Sequence, residues 1–316
     1  MSMTSPFEDE TFSSWIYRLA VFDQLPTLGV DALNDLFLLS VSKGSFDADV
    51  DSACDFATEC RDLILCPLEI YESFFATMSQ WIIPRYYRRS YCYECFCEQI
   101  PQAGHPVVLR GWAVIYNTIC TKHKVIFQDA DYGIGKHLAV GSKLFSFHNE
   151  VLNVPESLRV SSEEWHVANL VQRLLRTSEM SVTCQETQNP DLLYQFCRLF
   201  LEIMLYPDFS FCSRLYSRAK SGQSNLVFWK RLRLGPYLAT SQQRYAGISL
   251  LGWVLGLSDS GLKIVNTEDI RTFFELGQVS NVIGSSDVYR MLYIFGRHIK
   301  YCGVSEFLRG YCSKNY

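Results

Sequence analysis

The hydrophobic pattern along the chain is mostly of helical period. Phe12, Trp15, Ile16 and Leu19 fall at i, i+3, i+4 and i+7, one stripe of an amphipathic helix. Leu33, Leu36 and Phe37 repeat the pattern within a helix expected over Val30 to Leu39. Asp51 to Leu65 and Pro67 to Met78 read as two more helices, the second opened by a proline whose missing N–H has no partner at that position anyway. Short helices joined by tight turns over residues 8–80 suit a helix-turn-helix cluster or another small bundle. Residues 81–130 lack that period and are rich in Tyr, Cys, Arg and Val, so short strands are expected there. Helical signals return at Ser161, where Ser161 and Glu164 form a capping box ahead of Trp165, Ala168, Val171 and Leu175. Further helices are expected from Asn189-Pro190 to Pro207, and at Leu226–Leu234, Ser241–Leu257, Thr267–Leu276 and Ser286–Lys300. The polar stretch around Pro155 divides an N-terminal domain, 1–155, from a helical C-terminal domain, 156–316. The fold class expected is mainly α.

Composition narrows the class. With 316 residues, 48% hydrophobic and 20% charged, the chain is globular in type. Its longest apolar run, Gly247 to Leu257, is too short to cross a bilayer, so no membrane association is expected. The N-terminus, with Glu8, Asp9 and Glu10, lacks the basic and apolar regions of a signal peptide, and the 12 cysteines then suggest a reducing cytoplasm. The net charge of -4 hides an asymmetry: residues 1–80 carry 14 Asp/Glu against 3 Lys/Arg, whereas 161–316 carry 13 against 17. Phosphates repel the first segment, which suits a basic protein surface or a solvated acidic face. Asp47, Asp49, Asp51 and Asp55 are its candidate contact residues.

The chemistry concentrates between residues 92 and 123. Cys92-Tyr-Glu-Cys95 and Cys120-Thr-Lys-His123 are two pairs of equal spacing with 24 residues between them. Each pair fits a knuckle that turns two side chains onto one ion, and together they complete a tetrahedral shell of three thiolates and one imidazole. Soft sulfur ligands point to zinc, and a shell closed by four protein ligands points to a structural role. Cys97 and His105 lie near enough to compete for a ligand place. Cys54, Cys60, Cys66, Cys184, Cys197, Cys212, Cys302 and Cys312 show no pairing pattern and read as core residues.

Other patches are open to two readings. Arg85-Tyr-Tyr-Arg88-Arg89-Ser-Tyr91 could grip phosphates and stack on bases, or form a solvated face whose tyrosines pack the metal region. Arg214, Arg218 and Lys220, and Lys230, Arg231 and Arg233, are basic helical faces that suit either a nucleic-acid backbone or solvent. Residues 267–290 could form a second helix-turn-helix. No Gly-rich Lys-Ser/Thr phosphate loop, nucleophile elbow or two-metal carboxylate cluster is present, so no catalytic residue is assigned and no enzyme is expected.

Two motifs resemble the TniQ family of transposon target-selection proteins. One is Glu10-Thr-Phe12-Ser-Ser-Trp15-Ile16-Tyr-Arg18-Leu-Ala20, close to the family's N-terminal signature; the other is the Cys/His segment, with Trp112 eight residues before Cys120. Tyr93 and Thr121 stand where members usually carry proline. The resemblance covers roughly residues 8–127. It implies a helix-turn-helix and a zinc ribbon followed by a helical domain. It also implies a homodimeric adaptor that links an RNA-guided Cascade complex to the AAA+ ATPase TnsC. The alternative that other relatives offer is direct, sequence-specific binding of target DNA.

Overall fold

The computed structural model describes residues 4–22, 24–25, 29–42, 47–75, 81–151, 159–184, 197–198, 200–202, 204–205 and 228–254. The chain divides into two units, Met1–Val160 and Ser161–Tyr316. The described residues are mainly helical, with four strands of two residues each.

The first unit opens with α1 (Phe12–Val21), whose N-cap Thr11 accepts a hydrogen bond from the Ser14 amide at 3.3 Å. The stripe Phe12, Trp15, Ile16 and Leu19 is almost wholly buried. It packs against Leu33 and Phe37 of α2 (Val30–Ser42), Phe56 and Cys60 of α3 (Asp55–Ile64), and Tyr71 of α4 (Leu68–Ser73). Phe12 meets Tyr71 and Phe74 edge-on, at 5.6 and 5.4 Å between ring centroids, and Trp15 stacks on Phe74 at 5.2 Å. These four helices share one aromatic core. α3 and α4 are shorter than the sequence pattern suggests: α3 starts only at Asp55, after its cap Cys54, and α4 ends at Ser73.

The rest of the unit builds a second core. Strand β1 (Ser90–Tyr91) pairs antiparallel with β4 (Gln128–Asp129), and β2 (Ile119–Cys120) pairs antiparallel with β3 (Val125–Ile126). Between β1 and β2 runs α5 (Tyr93–Ala103), a helix where short strands are expected from sequence. The helical stripe is present, since Cys95, Phe96 and Ala103 are buried and Ile100 packs beside them. Pro101 inside the helix and the cysteines at its start obscure that stripe in the sequence. α6 (Val140–Glu150) closes the core with Val140 and Leu144.

The N-terminal motif is stitched to this second core by backbone hydrogen bonds. The Thr11 amide donates to the Val108 carbonyl at 2.9 Å, and the Arg110 amide donates to the Asp9 carbonyl at 2.8 Å. The Val108 amide donates to Ser14 Oγ at 3.1 Å and the Gly111 amide to an Asp9 carboxylate oxygen at 2.9 Å.

In the second unit, α7 (Ser162–Cys184) starts at a reciprocal capping box. The Ser161 amide donates to Glu164 Oε2 at 2.6 Å and the Glu164 amide to Ser161 Oγ at 3.2 Å. α8 (Phe228–Leu238) and α9 (Ser241–Val254) follow. α9 packs on α7, and a Cβ at Gly252 would sit 2.8 Å from Val167, so glycine permits that approach. No described helix is long and apolar enough to cross a membrane. Arg214, Arg218, Lys220 and the helices expected at Thr267–Leu276 and Ser286–Lys300 lie outside the described residues, as do the 267–290 motif and Cys212, Cys302 and Cys312. The same holds for the side chains of Cys184, Lys230 and Arg231, while Arg233 is exposed.

Candidate metal centre

The two sequence pairs meet. Cys92 follows β1, Cys95 lies in the first turn of α5, Cys120 ends β2, and His123 sits in the turn between β2 and β3. Lys124, next to His123, adopts a left-handed backbone (φ 56°) and donates its amide to the Cys120 carbonyl at 2.9 Å. That turn brings His123 back under Cys120 and lets Val125 re-enter the strand pairing.

The ligand atoms lie at the corners of a small tetrahedron. His123 Nδ1 is 3.4 Å from the Sγ of each of Cys92, Cys95 and Cys120, and the Sγ atoms of Cys95 and Cys120 are 3.6 Å apart. All four ligand atoms fall within 4.8 Å of one another. A tetrahedral zinc, with Zn–S of about 2.3 Å and Zn–N of about 2.0–2.1 Å, sets edges of about 3.75 Å between sulfurs and about 3.5 Å between sulfur and nitrogen. The tetrad therefore fits a metal ion of that size. Cys92, Cys95 and Cys120 are buried, and His123 is the ligand nearest the surface.

The three crowded sulfurs shift one another's protonation in opposite directions. Hydrogen bonds from the Cys92 and Cys95 thiols pull Cys120 down to about 2. The hydrogen bond to Cys120 pushes Cys92 up to about 12 and, with a second from Cys92, raises Cys95 as well. Three sulfurs this close cannot all ionise alone, so one takes the charge and the others keep their protons. A cation at the centre would reverse that, since it takes three thiolates and a neutral imidazole.

A carboxylate completes the site. Glu98, one turn after Cys95 on α5, places Oε1 3.2 Å from His123 Nε2. Its other oxygen accepts a hydrogen bond from Lys122 Nζ. Burial would lower the His123 pKa, but Glu98 and Cys120 outweigh it and the net shift is upward. Glu98 thus fixes the tautomer that presents Nδ1 to a metal, as outer-sphere carboxylates do for metal-bound histidines. The metal pattern points to Cys92, Cys95, Cys120 and His123 but not to Glu98. Its signal in the sequence is the repeated three-residue step from Cys92 to Cys95 to Glu98.

The competing ligands do not join. Cys97 is exposed on α5 and lies outside the tetrad. His105 hydrogen-bonds instead to Ser142 Oγ at 2.7 Å and to the Pro106 carbonyl at 3.0 Å. Cys54, Cys60, Cys66 and Cys197 are buried and outside any disulfide, in keeping with core residues. Burial drives Cys54 up to about 11, which disfavours its thiolate.

Around the centre, Trp112 meets Phe96 edge-on at 5.1 Å and Phe127 at 6.4 Å, within the same core as three of the ligands. Glu10 and Arg18 of the N-terminal motif form a fully buried ion pair at 2.8 Å, and Ser14 Oγ donates to the same carboxylate at 3.2 Å.

The Arg-Tyr stretch departs from both sequence readings in its arginines, which are buried or paired, while Tyr91 packs the metal region as the second reading expects. Arg85 is buried and ion-paired with Asp49, while Arg88 contacts Asp47 and, at 3.0 Å, Asp49. The Ser13 amide donates to Asp49 at 2.8 Å. Arg89 is buried and lies 3.9 Å from Asp129. Tyr91 is fully buried, stacked on Phe96. Asp47 and Asp49 therefore belong to an internal network, not to an acidic docking face. Asp51 and Asp55 remain exposed. The physical reason is distance in sequence: charges 36 or more residues apart cancel inside the fold, which a running charge balance cannot register.

The chain matches no protein-family model, no curated protein and no solved structure.

Proposed function

We propose that this chain is a TniQ-type transposition adaptor, joining an RNA-guided Cascade complex to the AAA+ ATPase TnsC, with a structural zinc holding its N-terminal domain. The observation that carries the reading is the joining of its two motifs. Asp9, Thr11 and Ser14 bind the backbone of residues 108–111 immediately before Trp112, and Trp112 packs beside the Cys/His tetrad. The residues that carry the family resemblance are thus interlocked rather than scattered.

A tetrad of four protein ligands offers no open coordination position, which supports a scaffold role over an enzymatic one. The metal's own contribution is to draw two distant knuckles together, and α5 between them is anchored at its first turn by Cys95. The compact helices α1 to α4 would then act as the helix-turn-helix portion and the paired strands as the zinc ribbon. Function as a homodimer, in the cytoplasm, belongs to the same reading.

The test is co-purification of the full chain with crRNA-loaded Cascade and with TnsC. Retention by both supports the adaptor; retention by neither removes it. The second reading is direct sequence-specific DNA binding by the more basic half, residues 161–316, which carry 17 Lys/Arg against 13 Asp/Glu. It requires affinity for naked duplex DNA that falls steeply with salt and distinguishes one sequence from another.

A further inference from the structure

The corner where α3 passes into α4 departs from the usual surface of a globular unit. Leu65 is 85% exposed, Leu68 56% and Leu63 44%. Leu65 also caps α3 in the left-handed conformation, at φ 49°. A side chain with a Cβ is strained there, and glycine is the common occupant of that position at a helix end. The backbone therefore bears strain while holding an apolar side chain in water.

Beside Leu68 lies an open cleft of about 630 Å³, lined by Thr58, Arg61, Leu68, Tyr71, Glu72 and Phe75. Along the same segment, Asp51, Asp55, Glu59, Asp62, Glu69 and Glu72 are exposed, and Glu72 lines the cleft. The single basic residue from 51 to 72 is Arg61, which is paired with Asp62 at 2.8 Å and lies over the Tyr71 ring at 5.4 Å, while Arg110 donates to the Ser73 and Phe74 carbonyls at 3.0 and 3.1 Å. Apolar anchors on a segment with a large acidic excess select a partner of the opposite sign with apolar residues of its own.

We infer that this corner docks a basic amphipathic helix of another protein. The partner's apolar stripe packs on Leu63, Leu65 and Leu68 and enters the cleft beside Arg61 and Phe75. Its flanking Lys and Arg side chains meet the carboxylates. Nucleic acid and anionic lipid are disfavoured because the acidic excess of residues 51–72 repels phosphate. The inference rests on this surface and would remain if the Cascade and TnsC reading failed.

The experiment is fluorescence anisotropy on the full chain with a dye-labelled Leu/Lys amphipathic peptide of about 18 residues, or five helical turns. A Leu/Glu peptide of the same pattern is the control. Wild type should bind the Leu/Lys peptide and ignore the Leu/Glu one. The triple variant Leu63→Ser, Leu65→Gly, Leu68→Ser should weaken binding at least about tenfold at fixed salt. Leu65→Gly suits the left-handed backbone, so thermal melting should show the fold retained. Independently, the charge-reversal variant Glu59→Lys, Glu69→Lys, Glu72→Lys should lower affinity and flatten its salt dependence. Equal affinity in wild type and the leucine variant overturns the proposal. So does binding of phosphatidylserine vesicles through these leucines, or a wild-type dimer that the leucine variant abolishes.

Discussion

The Glu98 carboxylate meets His123 Nε2 at 3.2 Å, while Nδ1 of the same ring faces all three sulfurs at 3.4 Å. One edge of the imidazole thus faces the three sulfurs and the other a carboxylate on the helix that carries Cys95. Because His123 is the ligand nearest the surface, it is the one whose displacement most readily opens the centre. Glu98→Ala should weaken metal affinity about 10- to 100-fold with every ligand retained. Glu98→Gln, which keeps an acceptor oxygen, should fall between Ala and wild type. Competition against a chromophoric chelator measures both, and equal release from all three proteins would show that Glu98 does not hold the ring.

The Asp49–Arg85 pair tests the second internal network. Both side chains are buried, and Asp49→Asn leaves Arg85 without its counter-charge, which should cost about 3–5 kcal/mol in denaturant unfolding. Burial works against the Asp49 charge, but Arg85, Arg88 and Ser13 outweigh it and lower its pKa. The stability it supplies is therefore complete above the ordinary carboxylate range, about pH 4, and lost as pH falls through the lowered folded value. Asp47 is shifted upward, chiefly by burial, so its contribution has the opposite sign and improves as pH falls through its raised value. Stability measured below about pH 4 should decline less steeply in Asp49→Asn than in wild type. Parallel profiles would place the acid sensitivity elsewhere.

These two networks mark the limit of what the sequence discloses. The helical stripe of α1, the capping box of α7 and the Cys/His tetrad are legible because each is written in local spacing. Arg85 looks like an exposed cation because its partner Asp49 lies 36 residues earlier and enters only when the chain folds. α5 is hidden for another reason, since its buried stripe includes a cysteine already assigned to a knuckle and its length includes Pro101. Leu65 reads as an ordinary helix residue, and only the backbone reveals that it is left-handed and exposed.

Gly135 tests the packing beneath the same arginines. A Cβ there would lie 1.9 Å from the Arg85 carbonyl oxygen and 3.0 Å from that of Arg88, both backbone atoms that cannot swing aside. Gly135→Ala should destabilise the first unit by about 1–3 kcal/mol, read from the unfolding midpoint in urea. A variant with wild-type stability would mean that the two segments do not approach this closely in solution.

Lys124 offers the converse case. Its left-handed backbone closes the turn beneath His123, a conformation that costs a residue with a Cβ about 1–2 kcal/mol. Lys124→Gly should relieve that cost and leave metal content unchanged, giving equal or higher thermal stability. A marked loss of stability would argue against the turn.

The scaffold role proposed for the first unit requires the Cys/His tetrad to hold a metal ion. Inductively coupled plasma mass spectrometry on the native protein, purified without added metal, tests it directly. The expected result is about one zinc per chain in wild type and none in Cys92→Ser or Cys120→Ser, matching four ligands around one ion. A folded wild-type protein free of any transition metal, or a Cys120→Ser variant with full zinc content, would contradict it.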